Sequence, residues 1–180
     1  MNTDILIGLY TFFIGTCIGS FLNVCIYRIP AGMSVVRPAS ACPHCRKAIP
    51  FYLNIPIISY ILLKGRCSHC KTPISIRYPA VELLTGVFYL LLLFKFAVTP
   101  PLFFWAVFIT VLITISFIDI DHQIIPDRIS LPGIIIFSSA PFFLPEMTFT
   151  QSLTGIIAGG GSLYLVAAGY YYIKKQEGMG

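Results

Sequence analysis

The chain has 180 residues, of which 57% are hydrophobic and only 11% are charged. Soluble domains carry about 25% charged residues on average, so this composition excludes an ordinary soluble globular domain and indicates a membrane protein. The net charge of +5 does not require a nucleic-acid partner, because basic residues also collect in the cytoplasmic loops of membrane proteins.

Five apolar segments are predicted to be membrane-spanning helices, because about 20 apolar residues are needed to cross a bilayer. They cover residues 5–27, 81–98, 102–118, 131–144 and 153–173. The fourth is short and contains Pro141. No basic residue precedes the first, so it is interpreted as a span and not as a cleavable signal peptide. The predicted fold is therefore an all-α integral membrane helical bundle.

The segment that follows the first span has a different character. Residues 28–79 contain eight Lys or Arg and no Asp or Glu. Basic loops stay on the cytoplasmic side, so we expect the N-terminus outside and three parts: a first span (1–28), a cytoplasmic domain (29–79) and a membrane core (80–180). The stretch 54–63 is apolar enough to lie on the membrane surface, and anionic lipid is the expected partner of the basic residues.

Four of the six cysteines form two C-x-x-C pairs, Cys42 with Cys45 and Cys67 with Cys70. Two such pairs at this separation are typical of a zinc site, because each turn directs two thiolates to one side and two turns complete a tetrahedron. A reducing cytoplasm keeps the thiols free for a metal. A full set of four cysteines leaves no open coordination position, so the predicted zinc is structural.

Three acidic residues, Asp119, Asp121 and Asp127, follow the third span closely. Carboxylates at membrane depth are costly and indicate function, although a solvated cytoplasmic turn explains the group equally well. Asp119 and Asp121 do not share a helix face, and Asp127 after Pro126 is expected to cap the next helix. Glu82 at the start of the second span is expected to have a structural role, with Arg77 as a possible partner.

Three glycines interrupt the fifth apolar segment, at residues 159–161. Small residues let helix backbones approach each other, so close helix packing is the expected role of this run.

Several stretches together resemble the prepilin peptidases, also called type IV leader peptidases, of the aspartic membrane-protease class. They are residues 19–24, 27–30, 42–45, 54–56, 59–60, 65–70, 76–86, 118–122 and 131–132. The resemblance implies that Asp119 is the first catalytic aspartate. The family's second aspartate stands in a Gly-x-Gly-Asp motif that usually follows Glu-Gly-Met-Gly. Residues 177–180 read Glu-Gly-Met-Gly, so Gly178 and Gly180 match and the second aspartate is expected beyond Gly180.

The resemblance implies aspartic hydrolysis of type IV prepilins or pseudopilins at the cytoplasmic face of the bacterial inner membrane. S-adenosylmethionine-dependent N-methylation of the new N-terminus is implied by the resemblance alone. Since one carboxylate cannot play both acid and base, we expect residues 1–180 alone to cleave nothing measurable. The alternatives are a non-catalytic zinc-binding membrane protein and a methyltransferase without its protease half. No nucleic-acid partner is expected, because residues 28–79 offer few aromatic residues on which bases could stack.

Overall fold

The computed structural model describes residues 2–175, and within them the chain is helical without any β-strand, as predicted. The helices are α1 (Asn2–Arg28), α2 (Ile58–Leu62), α3 (Arg77–Phe96), α4 (Pro100–His122), α5 (Asp127–Ser138), α6 (Ala140–Phe143) and α7 (Phe149–Lys174). A 3-10 turn occupies Phe51–Leu53. The long loops between α1 and α3 therefore carry both cysteine pairs and the short helix α2.

Four helices of the described part, α1, α3, α4 and α7, are long and apolar enough to cross a membrane. The count of five spans is thus corrected to four, because residues 131–144 are divided between α5 and α6. Proline lacks an N–H and disfavours a helical residue before it, so α5 stops at Ser138 and Pro141 stands in the first turn of α6. The 12 residues of α5 extend only about 18 Å, against a hydrocarbon core of about 30 Å.

The closest helix contact joins α1 to α3 and is made by glycines. A Cβ added at Gly19 would lie 2.7 Å from the Cα of Glu82, and one at Gly15 would lie 2.8 Å from the Cα of Gly86. A Cβ at Gly86 itself would lie 2.7 Å from the Cγ2 of Thr16. Gly15 and Gly19 are four residues apart and share one helix face, so the two backbones meet without intervening side chains.

Helix α4 completes the bundle by packing against both α1 and α3. The buried apolar cluster at this junction consists of Leu22, Ile26, Val81, Ile113 and Ile118. The hydroxyls of Tyr89 and Thr110 form a 2.9 Å hydrogen bond between α3 and α4. Lipid is as apolar as these side chains, so tight packing and such bonds, and not the hydrophobic effect, hold the helices together.

Aromatic rings connect α4 to the short helices α5 and α6. The Phe104 ring stacks on Phe143 at 5.6 Å between centroids and meets the Phe137 ring edge-on at 5.9 Å. Helix α7 follows through an edge contact between Phe142 and Phe149 at 5.1 Å. The aromatic cluster therefore stabilises the second half of the bundle.

The three glycines in α7 make no close helix contact within the part of the chain that the structure describes, so their expected packing role stays a prediction. A Cβ at Gly159, Gly160 or Gly161 would meet no atom of residues 2–175 within 4 Å. The reason is that the Phe149 contact lies at the first residue of α7, while the middle of the helix stays uncovered by these residues.

We expect Gly19→Val to destabilise the bundle, because the added carbon atoms would push α1 away from the backbone of α3. Overpacking of this kind costs about 1–3 kcal/mol of unfolding free energy. The measurement is thermal unfolding in detergent micelles, followed by the fluorescence of the single tryptophan, Trp105. Gly160→Val is the matched control, since open space surrounds Gly160 among the described residues. An equal fall in melting temperature for both variants would contradict the proposed contact.

Candidate active site and metal centre

Both cysteine pairs lie in tight turns that share one backbone hydrogen-bond pattern. In the first turn the N–H of Arg46 donates to the carbonyl of Cys42 at 2.8 Å, and the N–H of Cys42 donates to the carbonyl of Lys47 at 3.0 Å. The second turn repeats these bonds around Cys67 at 3.1 Å and 2.9 Å. Arg46 and Lys71, which follow the second cysteine of each pair, both have positive φ angles, +57° and +60°. The two turns are thus local repeats of one structure.

The two turns bring four sulfur atoms together, as the spacing predicts. The Sγ atoms of Cys42, Cys45, Cys67 and Cys70 all lie within 4.8 Å of one another, and those of Cys42 and Cys70 are 3.8 Å apart. Zinc–sulfur bonds of about 2.3 Å in a tetrahedron place the sulfur atoms about 3.8 Å apart. The cluster is therefore of the size and chemistry that holds a tetrahedral thiolate-bound metal.

The thiols of this cluster ionise unequally. Hydrogen bonds from the hydroxyl and backbone of Thr72 lower the pKa of Cys70 to about 6, and backbone N–H groups of Cys70 and His69 lower the pKa of Cys67. A backbone hydrogen bond from Lys47 lowers the pKa of Cys45, but desolvation and the three neighbouring sulfurs together raise it to about 11. Four thiolates at this distance repel one another, so a bound cation is needed to hold all four deprotonated.

Asp119, the first of the three clustered acids, lies in the last turn of α4, which continues through the polar residues to His122. The helix ends when Gln123 adopts a left-handed conformation and its N–H donates to the backbone carbonyl of Asp119 at 2.8 Å. The Asp119 side chain is exposed, while the neighbouring Ile118 is fully buried. Within residues 2–175 the Asp119 carboxylate has no hydrogen-bond or ion-pair partner.

Asp121 faces a different direction and is bound by Arg77 at the start of α3. The guanidinium donates to the Asp121 carboxylate and, at 3.1 Å, to the backbone carbonyl of Phe117, and it lies 5.1 Å from the centre of the Phe117 ring. Phe117 and Asp121 are four residues apart and share one face of α4. Because Asp119 is two residues from Asp121, it lies on a different face of α4 from the one that Arg77 contacts.

The sequence suggested Glu82 as a partner of Arg77, and the structure corrects this. The Glu82 side chain is buried, at 8% exposure, and its Oε2 accepts a 2.7 Å hydrogen bond from the backbone N–H of Ile57. Ile57 has a φ of +61°, which is strained for a β-branched residue. The Glu82–Ile57 hydrogen bond therefore attaches the cysteine-bearing segment to α3 within the first two turns of that helix. A separate hydrogen bond joins α1 to the same part of α3, because the Asn23 amide donates to the carbonyl of Tyr78 at 3.1 Å.

Asp127 is the first residue of α5 and makes no capping hydrogen bond with its side chain. The predicted position of Asp127 at the start of a helix is confirmed, but the predicted side-chain cap is wrong among the described residues. Its negative charge still complements the positive end of the helix dipole. Gly178 and Gly180, which were assigned supporting roles, lie outside the described residues.

Three features were missed by the sequence reasoning. Asn23 is an amide within an apolar span, which is by itself a signal of an internal hydrogen bond. The Gly15–Gly19 spacing is the small-residue pattern of close helix contacts. The pairing of Arg77 with Asp121 has no comparable sequence signal, because 44 residues separate the partners.

Comparisons with known proteins match nearly the whole chain. A family model described as the bacterial peptidase A24 N-terminal domain matches residues 13–96, and one for the type IV leader peptidase family matches residues 106–180. No solved structure gives a significant match.

Three relatives named prepilin leader peptidase/N-methyltransferase illustrate the similarity. The protein of Myxococcus xanthus is 38% identical over 97% of this chain and 52% of its own length. Those of Neisseria gonorrhoeae and Klebsiella pneumoniae are 37% and 33% identical, over 93% and 96% of this chain and 67% and 78% of their own lengths. The chain thus spans about half of the first relative and two thirds or more of the other two.

We expect the purified protein to contain one metal ion per chain and to lose it when Cys42 or Cys70 is replaced by serine, because three thiolates bind a tetrahedral cation much more weakly than four. Elemental analysis of detergent-purified protein gives the ratio and identifies the metal. Cys17→Ser, which removes a thiol in α1 outside the cluster, is the control and should keep the full content. Full metal content in Cys70→Ser would contradict a four-cysteine site.

Arg77→Ala and Asp121→Ala should destabilise the protein non-additively, because each removes the same interaction. Both side chains are about one third exposed, at 31% and 33%, so we expect a coupling free energy of about 1 kcal/mol or less. Unfolding of the two single variants and the double variant measures it. Lys95→Ala, at the opposite end of α3, should be additive with Asp121→Ala. Additive effects of Arg77→Ala and Asp121→Ala would show that the contact contributes nothing.

Proposed function

The chain belongs to the type IV leader peptidase family, and from this premise we propose that it forms the metal-binding and first-aspartate part of a membrane peptidase that removes the leader of type IV prepilins or pseudopilins. The observation that carries the proposal is the placement of Asp119. It is an unpaired carboxylate, among the described residues, at the end of a membrane-spanning helix whose last turns are contacted by Arg77. The family membership favours this proposal over a zinc-binding protein without activity.

The proposed reaction is aspartic hydrolysis at the membrane surface. Asp119 works with a second carboxylate, which the resemblance to the family implies. Two close carboxylates share one proton, because both cannot ionise at short range. The ionised carboxylate takes a proton from water, and the water oxygen attacks the scissile carbonyl. The protonated carboxylate donates to the developing oxyanion, and a proton then passes to the leaving amine.

Asp121 and Asp127 have supporting roles in this proposal. Asp121 is engaged by Arg77 and so is unavailable as the acid or base, but its ion pair orients the turn that carries Asp119. Asp127 stabilises the start of α5 after the short connection that leaves α4. Gly178 and Gly180 are assigned to the loop before the second aspartate by resemblance only.

The metal at the four cysteines is proposed to be structural zinc. Residues 29–79 bury few apolar side chains, and domains of this size are commonly stabilised by a bound metal. Zinc would join the two cysteine turns, and the Glu82–Ile57 hydrogen bond would then hold this domain (29–79) against the membrane core (80–180). The eight basic residues support a cytoplasmic location of the domain at the bacterial inner membrane, with anionic lipid close by.

N-methylation of the newly exposed N-terminus is a second candidate function, favoured by the relatives' names. S-adenosylmethionine would supply the methyl group. No residue of this chain is assigned to its binding, and the grooves of the described part show no feature that identifies such a site.

Asp119→Asn should lower prepilin cleavage in membranes by at least about 100-fold, because an amide can neither accept nor hold the required proton. Asp121→Asn should lower it less, since it loosens the turn without removing a reacting group. The complete gene product and a prepilin substrate are incubated in membranes, and the shortened product is measured on gels. Lys95→Ala is the control with unchanged cleavage. Full cleavage by Asp119→Asn together with an inactive Asp121→Asn would transfer the catalytic assignment to Asp121.

A further inference from the structure

The short helix α2 shows its apolar side to the outside of the molecule. Ile58, Ile61 and Leu62 stand at positions i, i+3 and i+4, so they share one face of the helix, and they are 50%, 66% and 74% exposed. Ser59, which lies off this face, is buried, at 7% exposure, and its hydroxyl accepts a hydrogen bond from the N–H of Ile55 at 3.1 Å. Among the described residues nothing covers the apolar face.

The rest of the segment fits the same orientation. Tyr60 turns toward the protein, where its hydroxyl donates to the carbonyl of Ile74. The preceding 3-10 turn exposes Phe51 and Tyr52, at 88% and 58%. For a helix in water this distribution is inverted, because its apolar side chains should face the core.

The attachment of α2 to the bundle indicates how deep α2 lies relative to the membrane. Ile57, the residue just before α2, is hydrogen bonded to Glu82, which lies five residues inside α3 and within a membrane-spanning helix. At 1.5 Å per residue, this contact is about 8 Å from the start of α3. Interfacial amphipathic helices bury their apolar faces about 5–10 Å into the boundary between headgroups and acyl chains. With the start of α3 taken as the membrane surface, α2 lies at the depth of that boundary.

We propose that α2 is an interfacial membrane anchor of the metal-binding domain, with Ile58, Ile61 and Leu62 inserted among lipid acyl chains. The charge pattern fits this occupant, because Lys64 and Arg66 follow α2 directly and residues 28–79 contain no acidic residue that would be repelled by anionic headgroups. This membrane anchoring does not depend on peptidase activity.

The membrane anchor would give the metal-binding domain a second point of attachment, in addition to the Glu82–Ile57 hydrogen bond. The Glu82 hydrogen bond attaches the segment to α3, and the lipid contact of α2 prevents it from rotating about that attachment. A domain held in this way stays against the membrane surface, where the last turn of α4 also lies.

Nitroxide labels at Ile58→Cys, Ile61→Cys and Leu62→Cys test the proposal. They are placed in metal-loaded protein that also carries Cys17→Ser and Cys25→Ser, and the protein is reconstituted into phosphatidylcholine/phosphatidylglycerol vesicles. Collisions with apolar oxygen and with a water-soluble nickel chelate are measured by paramagnetic resonance. Leu91→Cys in α3 is the lipid reference, and Lys47→Cys in the first cysteine turn is the water reference.

We expect the three α2 labels to match Leu91→Cys, with high oxygen and low nickel accessibility. Nickel accessibility equal to that of Lys47→Cys would place the face in water and overturn the proposal. Low accessibility to both reagents would show that protein, such as a further segment of the gene product, covers the face, and would overturn it as well. Measured metal content in each labelled variant establishes that the domain has folded. The readout needs no cleavage, so failure of the proposed peptidase function leaves the result intact.

Discussion

The contact on which the rest of the structure depends is the close approach of α1 and α3 at Gly15, Gly19 and Gly86. A Cβ atom added at any of these three positions would lie only 2.7–2.8 Å from the nearest atom of the other helix. A larger residue therefore does not fit at these positions unless neighbouring atoms move. Because the two backbones are so near, α3 presents its first two turns beside the end of α1. Glu82, which binds the cysteine-bearing segment, and Arg77, which binds α4, both belong to those two turns.

Three polar links exploit this arrangement. Glu82 receives the backbone N–H of Ile57, Asn23 donates to the carbonyl of Tyr78, and Arg77 joins the end of α4 through Asp121. Polar groups in or near a membrane are costly when unpaired, and no buried side-chain nitrogen or oxygen of the described residues lacks a partner. The links thus satisfy the polar groups and at the same time orient the elements that carry them.

The metal centre and the aspartate turn are built by different physics. The cysteine turns are local: two short hydrogen-bonded loops with left-handed residues at Arg46 and Lys71 create the sulfur cluster, and a metal held there would compensate for a small core. The turn that carries Asp119 is defined by tertiary contacts, since Ile118 is buried in the bundle and Asp121 is held by Arg77. The carboxylate of Asp119, between Ile118 and Asp121 in the sequence, remains exposed, and it is the one that the family resemblance implies is catalytic.

The sequence by itself determined the features that depend on residues close together in the chain. Apolar run length predicted α1, α3, α4 and α7, and the spacing of the cysteines predicted the sulfur cluster, because both properties are local. Tertiary structure decided which partners distant residues choose: Arg77 binds Asp121 and not Glu82, and Gly15 and Gly19, not the glycines of α7, make the close contact. These choices depend on the rotation and separation of packed helices. A linear pattern of apolar and charged residues does not contain that rotation, and so only the folded bundle determines it.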